Sequence, residues 1–253
     1  MPIRVVNLQE RPDLEPGFWS DDFARSWPTF MFKDPMAPLY FGRGRFEHYR
    51  AFALVAVDEA APGMVIARAA SVPFAFGGEG REKLPASGWD GVLRWADRDR
   101  LLGPPPTAVC ALEITIRPER KGQSLAALMV RALRDNARGQ GFDVLYAPVR
   151  PTEKLAEPAT PMQAYAARTR PEDGLPADAW LRVHVRLGGE VVGVAPCSMT
   201  IPGTLAEWRA WTGLLFDTSG EQIVPGALSP VHVSVEQDHA VYVEPNVWVR
   251  HRL

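Results

Sequence analysis

At 253 residues the chain exceeds the usual single domain yet stays within reach of one large α/β unit, so a single domain over residues 1–253 carrying insertions is expected. Hydrophobic residues at 46% and charged residues at 23% are globular proportions and exclude a disordered chain. A formal net charge of -2 gives no electrostatic ground for binding nucleic acid, which leaves small ligands as the default partners.

Residues 3–8 alternate apolar and polar in a β-branched run and read as a strand, followed by an amphipathic helix from Pro16 to Trp27. No basic region followed by a sustained apolar run opens the sequence, and nothing approaches the ~18 apolar residues of a membrane span. The expected location is the cytoplasm. Arg50 to Val57 and Met64 to Val72 are apolar strand candidates around the turn chemistry of Pro62-Gly63, which predicts a hairpin. Gly77 to Pro106 is rich in Gly, Pro and charge and reads as an insertion holding one helix near Trp89 to Ala96.

Thr107 to Ile116 is the next strand, Ser124 to Arg138 a helix, and Phe142 to Val149 another strand, an order that implies a parallel crossover. The helix places Leu125, Leu128, Met129, Ala132 and Leu133 on one face. A second insertion, the proline-rich stretch from Pro151 to Pro176, reads as a long loop with one helical turn near Met162 to Ala167. A helix from Ala177 to Leu187, a Gly188-Gly189 break, a strand at Glu190 to Val194 and a last strand at Val241 to Val249 complete the chain. Cys110 and Cys197 are too few for a disulfide framework and lack the spacing of a zinc site, so no metal is expected.

The run that carries chemistry is Ile116-Arg117-Pro118-Glu119-Arg120-Lys121-Gly122-Gln123-Ser124-Leu125-Ala126, a strand end, a basic glycine turn and a helix start. Free amides at a helix start, with the positive end of the helix dipole, form an anion site. Gly122 admits close approach and Arg120 and Lys121 add charge. Neither a Gly-x-x-x-x-Gly-Lys-Ser/Thr loop nor a Gly-x-Gly-x-x-Gly fingerprint occurs.

This run resembles the acyl-CoA loop of the GCN5-related N-acetyltransferases, Val-x-Pro-x-x-Arg-Gly-x-Gly-Leu-Gly/Ala. It departs from that form at Glu119, at Lys121, and at Ser124, which replaces the second Gly. The order of elements resembles that family over roughly the whole chain. The resemblance implies a mixed, mostly antiparallel α/β sheet of about seven strands with flanking helices, splayed where acetyl-CoA or a related acyl-CoA enters. It also implies transfer of an acetyl or other short acyl group to an amine acceptor. Main-chain amides of Ile114, Thr115 and Ile116 would hold the thioester carbonyl, and those of Arg120, Lys121, Gly122, Gln123, Ser124, Leu125 and Ala126 the pyrophosphate.

A second resemblance, Leu181 to Val192, is to the family's Ala-x-x-Leu-Tyr-x-x-Leu-Gly-Phe segment, with His184 in place of the Tyr proposed to protonate the leaving thiolate. An imidazole titrates nearer neutrality than a phenol. The competing reading is a half-buried helix histidine with one hydrogen bond. Ala177 and Asp178 stand where an Asn is usual.

Glu113 lies on the strand where several relatives carry a carboxylate that draws a proton from the amine, and the base some relatives use one strand later is Pro148 here. Its competing reading is a carboxylate paired with an arginine. Glu244, Asn246 and Trp248 on the last strand, with Pro148, Arg150 and Tyr165, are candidates to line the acceptor side. The alternative to an enzyme is an acyl-CoA-binding sensor without efficient chemistry. Neither a nucleic acid nor a membrane partner is expected, and a homodimer is left open.

Overall fold

The computed structural model describes residues 3–61 and 63–253. β1 (Ile3–Asn7) is the expected first strand, but the aromatic stretch after it does not form the expected helix over Pro16–Trp27. It folds as short turns: α1 (Glu15–Phe18), 3-10 turns at Ala24–Ser26 and Thr29–Lys33, α2 (Pro38–Phe41) and a 3-10 turn at Phe46–Phe52. Phe18, Phe23, Phe30, Tyr40 and Phe46 are all buried along it. Their spacing follows no single helical stripe, so large rings can all turn inward only if the backbone breaks repeatedly.

β2 (Ala53–Asp58) and β3 (Val65–Phe74) form the expected antiparallel hairpin, with Pro62 of its turn outside the described residues. The first insertion holds α3 (Gly88–Leu102), longer than the segment expected and ended by Gly103 at φ 90°. β4 (Ala108–Ile116), α4 (Leu125–Gly139) and β5 (Val144–Val149) make the parallel crossover. α4 buries Leu125, Met129, Val130, Leu133 and Ala137 against the sheet. Each such side chain stabilises the fold by roughly 1.5–3 kcal/mol for the larger members.

α5 (Met162–Ala166) is the single turn within the proline-rich loop. α6 (Ala179–Arg186) starts at Asp178, whose Oδ1 accepts from the amides of Trp180 and Leu181, a cap in place of the absent Asn. β6 (Glu190–Gly203) is far longer than the five residues expected. Residues 196–198 bulge out of its pairing with the last strand and bond elsewhere: the Cys197 amide donates to Ala86 and Ser198 Oγ accepts from the Trp89 amide.

α7 (Leu205–Thr212), β7 (Gly220–Gln222) and β8 (Val231–Ser234) precede β9 (His239–Arg252). The mixed, mostly antiparallel sheet runs β1-β2-β3-β4-β5-β9-β8-β7 with β6 on the other edge of β9, nine strands rather than about seven. α3 packs on one face with the aromatic stretch, while α4, α5 and α6 pack on the other. No described helix is long and apolar enough to cross a membrane.

Candidate active site

The site begins where two parallel strands stop pairing. β4 and β5 meet only at Val109 with Leu145 and Cys110 with Tyr146; beyond these, β4 follows β3 to Ile116 while β5 follows β9 to Val149. The edge of residues 111–116 therefore faces a splay. Pro148, with no N–H to donate, lies on β5 at this opening.

A one-residue bulge aims the side chains. Ala70 opposes Glu113 but the next residue, Ser71, opposes Ala111, so Leu112 is extra. Before the bulge Val109 and Ala111 face the helix side; after it Ile114 and Ile116 do. Leu112 and Glu113 consequently border the opposite face in succession, and Thr115 follows Glu113 there.

On that face lies a cavity of about 440 Å³, within the ~300–1,000 Å³ range of small-molecule sites. Its aromatic wall is Trp19, Trp27, Phe32, Phe41 and Trp89, and its charged groups are Asp21, Glu113, Glu244, Arg68 and Arg150. Arg68 donates through Nε to Glu113 Oε1 at 2.9 Å and through Nη1 to the Phe18 carbonyl at 2.8 Å. Thr115 Oγ1 donates to Glu113 and accepts from Trp27 Nε1 at 3.1 Å, tying the carboxylate to the aromatic wall.

Across the splay from β4, the cavity is bounded by a gap along β9. β5 ends at Val149 opposite Val247 and β8 begins at Val231 opposite Tyr242, leaving residues 243–246 unpaired on that edge. Arg150 enters beside the gap, donating through Nε to Glu244 Oε2 at 2.9 Å and through Nη2 to the Gly226 carbonyl at 2.5 Å. Glu244 is fully buried and also accepts from Tyr242 Oη at 2.7 Å and Asn246 Nδ2 at 3.0 Å. A charge at that depth is tolerated because every oxygen is hydrogen-bonded.

On the helix side the basic loop leaves β4 through a 3-10 turn at Pro118–Arg120. Gly122 has φ 81° and Ser124 φ 57°, both left-handed, and α4 starts with no side-chain cap. The amides of Gly122, Gln123 and Ser124 have no partner among the described residues, which suits an incoming anion. Arg120 is ion-paired to Asp58, so the free charge at the loop is Lys121, which has no ion pair among the described residues.

The structure does not bring His184 to the cavity. It lies on α6, buried on the other face of the sheet, with Nδ1 3.0 Å from His251 Nε2. Burial, and then the facing His251, pushes it down to about 3, which corrects the expectation of a ring titrating near neutrality. Tyr165 is likewise elsewhere, its hydroxyl donating to Asp178, and Trp248 is buried with Nε1 on the Pro85 carbonyl. Pro148, Arg150, Glu244 and Asn246 do line the cavity.

Sequence reasoning missed Trp19, Trp27, Arg68 and Trp89. The available signals were a charged residue inside an apolar strand, at Arg68, and the density of aromatics from Phe18 to Phe52.

The sequence matches no family profile. Among curated proteins it is 32% identical over 266 residues to an arginine N-acetyltransferase, avaD, of Aspergillus versicolor, covering 95% of this chain and 91% of that protein. The chain belongs to the GCN5-related N-acetyltransferases. It is an acyltransferase that moves an acetyl or other short acyl group from acyl-CoA to an amine. Among solved structures this acetyltransferase is similar in fold to the loading GNATL domain of CurA from Lyngbya majuscula, with TM-score 0.53, 14% identity and coverage of 100% and 98% of the two chains. A phosphinothricin acetyltransferase of Sinorhizobium meliloti in complex with AcCoA gives TM-score 0.45 at 14% identity, covering 100% of this chain and 89% of that one.

The residues present fit an acyl-CoA donor. An uncapped helix start supplies free amides for a pyrophosphate, and the unpaired β4 edge supplies main-chain groups for a thioester in the splay. The cavity opens on the face of the same splay opposite to α4.

Proposed function

We propose that the acceptor is arginine or a close guanidinium-bearing amine. The observation that carries this is the make-up of the cavity: five aromatic side chains and three carboxylates against two arginines. Arg68 pairs with Glu113 and Arg150 with Glu244, while Asp21 has no side-chain partner among the described residues. A cavity with an unpaired carboxylate and π faces favours a planar cation over an anion. The similarity to a protein named arginine N-acetyltransferase supports the same reading.

In this reading Glu113 removes a proton from the acceptor ammonium, leaving a lone pair to attack the thioester carbon. The C–N bond forms, the C–S bond breaks, and the electron pair leaves on sulfur. Main-chain amides of Ile114 and Ile116 on the splayed edge hydrogen-bond the thioester oxygen as its charge develops, while the amide of Thr115 alternates toward β3 opposite Arg68. Those of Gly122, Gln123, Ser124, Leu125 and Ala126 hold the pyrophosphate beside the Lys121 ammonium, while the amides of Arg120 and Lys121 are taken by the carbonyls of Arg117 and Pro118.

The nitrogen's second proton ends on the thiolate, and His184 is the side chain we assign to that end of the reaction. His251 Nδ1 is buried without a partner. A buried orphan N–H costs more than an orphan lone pair, so the proton of the pair belongs on His251 Nε2, donating to His184 Nδ1. His184 then carries its own proton on Nε2 and acts as a neutral hydrogen-bond donor.

The test is CoA-thiol release with acetyl-CoA over a panel of amines. Arginine is expected to exceed neutral and acidic amino acids in kcat/KM by about 100-fold or more. A preference for glutamate or a neutral amine sinks this reading, and acetyl-CoA binding without turnover on any amine favours the sensor.

A further inference from the structure

We infer that Arg150 binds a carboxylate on the acceptor and so presents the acceptor's α-amine, not a side-chain nitrogen, to the splay. This rests on the proposed arginine-like acceptor. Of the two cations bordering the cavity, Arg68 is fully engaged: Nε and Nη2 face Glu113 and Nη1 holds the Phe18 carbonyl. Arg150 is engaged through Nε by Glu244 and through Nη2 by the Gly226 carbonyl, while Nη1 has no partner among the described residues. Only one guanidinium edge in the cavity is thus open to an anion.

That edge is held in place before any ligand arrives. Glu244 is itself fixed by Tyr242 and Asn246, and the Arg150 guanidinium carbon lies 5.8 Å from the centroid of the Trp27 ring. A guanidinium so fixed loses little freedom when it binds a carboxylate.

Position then dictates regiochemistry. Arg150 directly follows Val149, the last residue of β5, so it stands at the lip of the splay. In an amino acid one carbon joins the carboxylate to the α-nitrogen. Anchoring the carboxylate at this lip leaves the α-nitrogen at the opening that Glu113 borders. The remainder of the acceptor extends along the aromatic wall toward Asp21, where a guanidinium meets Trp19 and Phe41. The α-nitrogen bonds to the acyl carbon as the C–S bond breaks, one proton passing to Glu113 and the other to the thiolate. The product is an Nα-acylated amino acid.

The experiment compares arginine with agmatine, which lacks the carboxylate, and locates the acetyl group by fragmentation mass spectrometry. The wild-type enzyme is expected to place it on the α-nitrogen and to favour arginine by about tenfold or more in kcat/KM, as losing a charge-assisted contact implies. In Arg150→Gln the preference should fall toward parity through KM. Arg150→Lys, which keeps a cation opposite buried Glu244 if the Gln variant fails to fold, should retain part of it. A purely structural role for Arg150 would lower both acceptors by one factor and leave their ratio intact.

Acetylation on the guanidinium, equal use of the two acceptors by the wild type, or an unchanged ratio in the folded variants overturns the inference. If arginine and agmatine are both refused while another α-amino acid is acetylated with the same dependence on Arg150, the arginine reading fails and the role of Arg150 stands.

Discussion

Glu113 sits between two demands, since the same carboxylate that is to accept a proton is also bonded to Arg68 and Thr115. Those contacts fix its direction, and Glu113→Gln keeps their shape while removing the base. The expected outcome is a loss of about 10²-fold or more in kcat with acetyl-CoA binding unchanged, measured by thiol release and calorimetry. Full activity in the variant would move the base to another group. His251→Phe removes the donor that sets the His184 proton; kcat should fall by about tenfold, short of the ~10² to 10⁴ of direct acid–base catalysis. No change in kcat excludes a part for His184 in protonating the thiolate.

Among elements, the loop before α4 departs most tellingly from its family's form. Ser124 occupies a left-handed φ that glycine adopts freely and other residues only at a cost of roughly 1–2 kcal/mol. Ser124→Gly should therefore raise the melting temperature and tighten acetyl-CoA binding; a lower melting temperature would show the Ser hydroxyl to be structurally required. Gly122→Ala meets no atom within 4 Å but is strained at φ 81°, so weaker acetyl-CoA binding with little loss of stability is expected from calorimetry. The strand, loop and helix here were legible because their signals are local: an apolar run, a glycine turn, a 3.6-residue stripe.

The aromatic stretch was illegible for the opposite reason. Phe30 packs on Trp208 and Tyr242, and Trp27 reaches Thr115, contacts that no neighbouring residue announces. The length of β6 was hidden by Pro196 and Pro202, which read as strand breakers though the bulge and the strand end accommodate them. α7 was missed despite its capping box at Thr204 and Glu207, a signal the sequence carried.

For the whole molecule, a buried carboxyl and a buried pair of histidines set opposing responses to pH. Asp90 at the start of α3 is pushed up from its ordinary 3.8 to about 8 by burial, then by the facing Asp34 carboxyl. Folding thus holds a proton that the unfolded chain releases. The stability this contributes is complete below pH 3.8 and is lost as pH rises through about 8. The histidines act the other way. His184 and His251 are pushed down to about 3 and about 4, so their contribution is complete above 6.5 and is lost as pH falls toward those values.

Between pH 6.5 and 8 the Asp90 effect dominates, and the melting temperature should decline across that window. Asp90→Asn keeps an acceptor for the Thr200 amide and removes the ionisation. It should raise the melting temperature at pH 8 by about 2–4 °C per kcal/mol recovered and give no such gain near pH 4. An identical shift at both pH values rules out the proton as its origin.

The extra residue at Leu112 puts two successive side chains on the cavity face. A β4 without it would alternate plainly: Ala111 toward the helices, Glu113 toward the cavity opposite Ala70, Ile114 toward the helices again. The carboxylate would keep its face, its arginine and its threonine. What the shorter strand would lose is the apolar Leu112 beside the carboxylate and the local bend that a bulge gives its strand. In this chain one inserted residue shapes the mouth that two substrates share, and the direction of the base is left to simple alternation.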